Sequence, residues 1–203
     1  MTHEEIMTPR LVLWRMPKAF LEASLRDDIV AARQFVDLNL YPEWFDEKSI
    51  IRIRLEDLKQ DAAYSDWSLR AIGLRSTREM VGHIGFHSAP DPPYLRPWAR
   101  DAIEFGYTVY EPFRACGYAQ EAAAGLIRWA RRASGVSRFV VTVSPENKAS
   151  QAIAAKLGFR KIGEHLDEVD GLEEVLLLEG SALETLIEAP DAPAGAAGAD
   201  PPG

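Results

Sequence analysis

The chain has 203 residues, 47% of them hydrophobic, a single cysteine and a net charge of −8. That length buries enough core for one domain, and a lone Cys116 excludes an internal disulfide framework and any multi-cysteine zinc site. The acidic balance argues against nucleic acid as the main ligand, because neutralising phosphates takes clustered Lys and Arg. No apolar run reaches about eighteen residues, so no membrane-spanning helix is expected. Residues 1–9, with Glu4 and Glu5, lack the basic-then-apolar order of a secretory signal. Together these features predict a cytoplasmic enzyme or binding module.

Residues 10–16 set Leu11 and Leu13 between partly polar neighbours and predict the first strand. Pro17 opens a helical region in which Phe20, Leu21, Ser24, Leu25, Ile29, Val30, Phe35 and Val36 recur at helical spacings. After a loop with Tyr41, Pro42 and Trp44, residues 50–63 predict an amphipathic helix on Ile51, Leu55, Leu58 and Ala62. Residues 67–75 and 80–88 predict an antiparallel hairpin, four prolines make 89–100 a loop, and 102–110 returns to strand. Residues 117–133 carry Ala119, Ala122, Ala123, Leu126, Ala130 and Ala133 on one helical face. Residues 139–143 are almost wholly apolar, as in a strand covered on both faces, and 148–157 form a short helix stopped by Gly158. Residues 159–162 and 172–178 complete the sheet. Residues 189–203 contain only Ala, Pro, Gly and Asp and predict a disordered tail, so a single domain is expected over 1–188. The element order predicts an α/β fold with a mixed sheet and helices packed against it.

The most informative segment is 104–123, EFGYTVYEPFRACGYAQEAA. A strand ends, a turn follows, and Arg114-Ala-Cys116-Gly117-Tyr118-Ala119 leads into a helix. The first-turn N–H groups of a helix lack internal partners and sit at the positive end of its dipole, which makes an anion site. Gly117 permits a backbone conformation closed to other residues, Ala119 keeps the approach clear, and Arg114 adds a charge. The competing reading is an ordinary strand-to-helix turn in which Gly117 only fits the backbone.

Arg-x-x-Gly-x-Ala after a strand resembles the pyrophosphate loop of the GNAT superfamily of acyl-CoA-dependent N-acyltransferases. Other segments resemble the family in the same order. Thr8-Pro9-Arg10-Leu11-Val12-Leu13 is similar to the opening strand of the Rim-type branch, which acetylates N-terminal amines of ribosomal proteins. Met80–Phe86, Ile103-Glu104-Phe-Gly-Tyr107, Asn147-Lys-Ala-Ser150 and Lys156-Leu-Gly-Phe159 follow suit, so the resemblance runs from about Thr8 to Leu178. It implies a mostly antiparallel, twisted sheet of about seven strands, splayed between 102–110 and 138–144 and flanked by helices. It also implies acetyl-CoA as co-substrate, with no metal. The pantetheine arm would lie along Tyr107, Thr108 and Val109, the Val109 amide facing the thioester oxygen. The diphosphate would rest on the amides of Cys116, Gly117, Tyr118 and Ala119, beside Arg114 and Gln120. Asn147 has two readings, a cap for the following helix or a contact to pantetheine. Ser150 is either a first-turn helix residue or the proton donor to the departing thiolate. The tyrosine acid that many members carry four residues before Gly-Phe is replaced here by Ala154. A coenzyme A thiolate is a comparatively good leaving group, so a water suffices there.

The acceptor amine must be neutral to attack. At pH 7 an α-amine with pKa about 8 is neutral roughly one time in ten, and a lysine near 10.4 about one in 2,500, which favours an α-amine. Glu104 is the first candidate for the base, because the family often places an acid on this strand; the alternative is a solvated or paired strand glutamate. His83 and His87, on one strand face, are further candidates. Trp44, His87 and Tyr94, with Trp98 and nearby carboxylates, are expected to hold the acceptor. The plainer account has Trp44 and Trp98 covering the core edge. The acceptor is a protein N-terminus or another amine-bearing small molecule, with no nucleic acid or membrane partner, and the family admits a homodimer. Two alternatives stand beside the transferase: a CoA-binding sensor without chemistry, and transfer of another acyl group such as succinyl.

Overall fold

The structure, a computed structural model, describes residues 5–167 and 171–189. In chain order the elements are β1 (Ile6–Met7), β2 (Leu11–Arg15), α1 (Lys18–Leu25), α2 (Ile29–Ala32), α3 (Lys48–Gln60), β3 (Arg70–Leu74), β4 (Met80–Phe86), β5 (Ile103–Val109), α4 (Tyr118–Ser134), β6 (Phe139–Val143), α5 (Lys148–Leu157), β7 (Arg160–Asp167), β8 (Gly171–Leu178) and α6 (Gly180–Glu188). The strands form one open, mostly antiparallel sheet in the order β1-β2-β3-β4-β5-β6-β8-β7. It has eight strands where seven were expected, because Ile6 and Met7 pair with Leu13 and Val12 as a short edge. The parallel neighbours β5 and β6 register only at Ile103–Phe139 and Glu104–Val140, so Phe105 and Gly106 leave the ladder, as the expected splay requires.

The chain divides into two compact units, one holding residues 5–85 and 107–122, the other 86–106, 123–167 and 171–189. The divisions between the units fall inside β4, β5 and α4, where no change of composition marks them. Apart from Ala189, the tail expected at 189–203 lies outside the described residues.

In the first unit every residue of β3 is buried, as are Leu11, Val12 and Leu13 of β2. That pattern marks strands covered on both faces. Helix α3 buries Ile51, Leu55 and Leu58, positions that fall on one side of a 3.6-residue repeat. The ring of Phe20 from α1 stacks on Trp44 at 5.7 Å. Each such large apolar side chain, fully removed from water, contributes about 1.5–3 kcal/mol.

In the second unit β6 pairs antiparallel with β8 over five residues, and β8 pairs with β7. One side of this sheet buries Val140, Val175 and Leu177 against Leu95, Ala99 and Ala102. Rings of Phe86, Phe105, Phe159 and Trp129 form another packed group, with centroids 6.1–6.4 Å apart. Strand β7 is longer than its apolar stretch suggested, because the ladder with β8 resumes at Gly163 after a register shift and continues through Glu164, His165 and Leu166. Helix α6 was not anticipated; it is fixed by the buried Leu183 and Leu186.

Helix α5 has the predicted boundaries. Asn147 Oδ1 accepts the N–H of Ser150 at 3.1 Å, and Gly158 closes the helix at φ +89°. Asn147→Ala is therefore expected to cost about 1 kcal/mol of stability, measured by urea denaturation, with Asn147→Ser losing only a small part of that.

Candidate active site

Two arrangements stand out, one in each unit. In the first unit, β5 is half-buried at Tyr107, Thr108 and Val109 before the chain turns at Glu111–Phe113. The Tyr110 N–H bonds Val81 O at 2.9 Å, which fixes the end of the strand. The exposed Arg114 folds back, its Nε donating to Val109 O at 3.0 Å. Ala115 and Gly117 then both take positive φ, +61° and +79°. Such alternation aims successive N–H groups into a concavity, and glycine holds its part of it without strain. The first bond joining loop to helix runs from Glu121 N–H to Gly117 O at 3.1 Å. The first-turn amides of Tyr118, Ala119 and Gln120 thus precede the intrahelical ladder of α4 at the positive end of its dipole. A Cβ on Gly117 would have Arg10 Nη2 as its nearest neighbour, 3.4 Å away. The space above this glycine is bounded by a cation.

Arg10 was read from the sequence only as part of the opening strand. It holds the loop together. Its backbone N–H and Nε donate to the Glu121 carboxylate at 2.8 and 2.6 Å, Thr8 Oγ1 adds a third bond at 2.6 Å, and Arg10 Nη1 reaches Cys116 O at 3.0 Å. Its guanidinium also covers the Tyr118 ring, 4.8 Å from the centroid. Glu121 is favourable in the first turn of a helix but would oppose an anion bound there, and Arg10 offsets that charge. Since the pair is separated by 111 residues, no local pattern could have announced it.

In the second unit a cavity of about 500 Å³ is lined by His87, Tyr94, Glu104, Thr142, His165 and Glu173, with Trp98 at its side. Glu104 is 5% exposed. Its Oε1 accepts a bond from Thr142 Oγ1 at 2.8 Å, and its Oε2 stands 3.4 Å from His87 Nδ1. Burial pushes this carboxyl upward, but His87, Thr142 and Tyr94 together outweigh it and hold the group below its usual range. A second pair, His165 Nε2 and Glu173 Oε2, lies 3.8 Å apart on β7 and β8. Trp98 packs its ring on Gly163, where a Cβ would come within 2.1 Å of it. The structure therefore brings together four residues singled out from the sequence, Glu104, His87, Tyr94 and Trp98. It adds Thr142, His165 and Glu173, which sequence reasoning missed because each lies on a different, later strand.

Trp44 requires a correction. It was expected to touch the acceptor, but it is wholly buried, its indole N–H donating to Ser24 Oγ at 2.8 Å. Facing Phe20 on one side, it is a core residue of the first unit. His83 is also buried, between Trp44 and Tyr110 and 3.5 Å from Glu47, in the first unit and not in the cavity. Its proximity lowers the Glu47 carboxyl. Ser150 sits half-buried in the first turn of α5, and Asn147 is exposed with its oxygen engaged as the cap. Among the described residues no group of three or more His, Cys, Asp or Glu could hold a metal ion, and no helix is long and apolar enough to cross a membrane.

Comparison with known proteins fits this architecture. A model of the acetyltransferase (GNAT) domain matches residues 21–160, and the chain belongs to that family. YoaA of Bacillus subtilis, described as an uncharacterized N-acetyltransferase, is 34% identical over 92 residues, 45% of this chain and 48% of YoaA. The chain spans about half the length of the curated relatives it matches. Among solved structures, a ribosomal-protein-S5-alanine acetyltransferase from Vibrio fischeri aligns with a TM-score of 0.59 at 14% identity, covering 88% of this chain and 97% of that one. Mycobacterium smegmatis RimJ in complex with CoA-disulfide aligns at 0.57 and 20% identity, covering 91% and 92%. At these identities the solved structures establish the shared fold.

The Arg10–Glu121 pair can be measured. Arg10→Ala and Glu121→Gln are each expected to cost about 2 kcal/mol in chemical denaturation, the scale of a charged hydrogen bond. The double variant should lose clearly less than the sum, with a coupling above about 1 kcal/mol; additive losses would show that the two groups act independently.

Proposed function

We propose that this acetyltransferase moves an acetyl group from acetyl-CoA to a primary amine by direct attack within a ternary complex. The observation that carries the reading is the loop after β5, where Ala115 and Gly117 take positive φ just before the first turn of α4, with the Arg10 guanidinium beside Gly117. Those residues fit a diphosphate: the donors are main-chain N–H groups, the glycine removes the side chain that would block approach, and a cation lies within reach. Cys116, Gly117, Tyr118 and Ala119 would hold the diphosphate, with Gln120 and Arg114 beside them. Tyr107, Thr108 and Val109, of the same unit, would hold the pantetheine arm. The RimJ neighbour, solved with a CoA-disulfide, is consistent with this use of the fold. The bound thioester supplies an activated acyl group; everything else is positioning and proton transfer.

The acceptor side is the cavity holding Glu104 and Glu173. Two carboxylates with Tyr94 and Trp98 attract an ammonium group, and the amine reacts only after losing a proton there. An α-amine meets that requirement most readily, so peptides with a free N-terminus lead the panel, followed by free amino acids and polyamines. Ser150, in the first turn of α5, is the candidate donor to the leaving thiolate.

The test pairs binding with turnover. Calorimetry should show acetyl-CoA binding to the wild-type chain, and Gly117→Asp should weaken it at least about 100-fold, since it sets a carboxylate where the diphosphate rests. Thiol release should follow with at least one member of the amine panel. Unchanged affinity in a folded Gly117→Asp variant would remove the loop from the mechanism.

A further inference from the structure

We propose that the first unit carries a further binding site, for a small carboxylate with an apolar body. It lies where residues 33–39 meet Trp14 of β2 and Arg78 of the turn between β3 and β4. The site shares no residue with the loop after β5 and does not depend on the acetyl transfer proposed above.

These residues line a cavity of about 460 Å³, a size usual for small-molecule sites. Its frame is fixed at both ends. Helix α2 closes with the Arg33 N–H on Ile29 O at 3.0 Å, and the chain then reaches the β3–β4 turn. There the Asn39 N–H donates to Arg78 O at 2.7 Å, and the Met80 N–H to Asn39 O at 3.0 Å. Leu38 is buried against Gly73 of β3, where a Cβ would come within 2.3 Å of its side chain. A segment pinned in this way has little left to order when a ligand binds.

The polar groups of the lining are of one kind. Trp14 lines the cavity, and its Nε1 N–H is buried without a hydrogen-bond acceptor. An orphaned donor of this sort is rare in a folded chain, and an acceptor brought to it removes the cost of leaving it bare. Arg33 is exposed and makes no side-chain hydrogen bond or ion pair among the described residues. Arg78 makes one, to Asp37 at 3.4 Å, with the two side chains 49% and 72% exposed. A pair so open to water is weak and leaves most of the guanidinium for another partner. Two guanidinium forks and an indole N–H therefore stand against a single carboxylate, which is already beside a cation. A guanidinium fork matches a carboxylate through two parallel bonds.

The remaining wall is apolar. Phe35 is 39% exposed, while Val36 and Leu38 are buried next to it in the chain. An aromatic ring and an indole in one lining favour a flat hydrocarbon body on the ligand. That distinguishes the expected ligand from inorganic phosphate, whose second charge would also meet Asp37.

The experiment follows the indole N–H resonances of the full chain by nitrogen–proton NMR while sodium phenylacetate is added. Trp14 is assigned from its own backbone amide, so no variant is needed to identify it. Its indole resonance should move saturably, with a Kd below about 1 mM. Arg33→Gln should weaken binding about tenfold, the loss expected for a charged hydrogen bond, and Arg78→Gln by at least as much because Asp37 is then left uncompensated. Both replace exposed side chains, so both variants should fold. Phenethylamine, with the same ring and the opposite charge, and inorganic phosphate, with charge and no ring, should leave the Trp14 resonance in place up to about 10 mM. Gly117→Asp should keep phenylacetate affinity within about twofold of wild type, which separates this site from the loop after β5. The proposal is overturned if phenylacetate does not move the Trp14 resonance up to about 10 mM, or if both arginine variants keep wild-type affinity. It is equally overturned if phosphate or phenethylamine titrates the same resonance as phenylacetate does, or if Gly117→Asp abolishes the response.

Discussion

A charged carboxylate at 5% exposure cannot stay ionised unless its surroundings supply what water no longer does, and much of the second unit is organised by that requirement. Glu104 projects from a strand that keeps only two registered pairs with β6, and one of them is its own pairing with Val140. Thr142, two residues further along β6, is placed to donate to it; His87 follows the last residue of β4; Tyr94 comes from the turn at Pro93–Leu95. Three separate segments are thus drawn to one carboxylate. The energetic sign follows. Because its folded pKa is depressed, Glu104 contributes stability above its unfolded value that disappears as pH falls through the folded one.

The first unit solves an analogous problem with the opposite emphasis. An acid in the first turn of α4 complements the helix dipole, but it occupies the place where an incoming anion benefits most. The Arg10 guanidinium offsets the charge of the Glu121 carboxylate, and the Arg10 N–H and Thr8 hydroxyl add two further bonds to it. The same arginine then ties the Cys116 carbonyl. One cation thus both offsets the Glu121 charge and holds the Cys116 carbonyl of the loop. In the cavity, by contrast, a negative charge is preserved and its partners are neutral donors or an imidazole. The two units therefore handle a carboxylate in opposite ways, Glu121 offset by a cation and Glu104 kept charged among donors.

How far the sequence reveals this depends on the range of each interaction. Strand β6 and helix α5 are legible to the residue, because an apolar run, an Asn cap and a Gly stop are all local signals. The turn at 114–119 into α4 is legible for the same reason. Glu104 could be picked out as an acid on a strand, but not its partners, since Thr142 is 38 residues away and the packing that joins them is tertiary. Trp44 misled because an aromatic among carboxylates in a loop looks exposed; its burial is decided by Phe20 and Ser24, about twenty residues earlier. Helix α6 was hidden beside a tail of Ala, Pro and Gly, and only the burial of Leu183 and Leu186 distinguishes it.

The missing tyrosine now has a structural account. Ala154 is 4% exposed, and its carbonyl accepts the Phe159 N–H at 3.0 Å as α5 ends. A phenol at this position would have to displace packed neighbours of the helix rather than reach into open space. The body of α5 therefore carries no phenol, and the polar side chains nearest its start are Asn147, which caps it, and the half-buried Ser150. In the transfer proposed above a water suffices for the leaving sulfur, because a free thiol titrates near about 8.5 and its thiolate is a comparatively good leaving group.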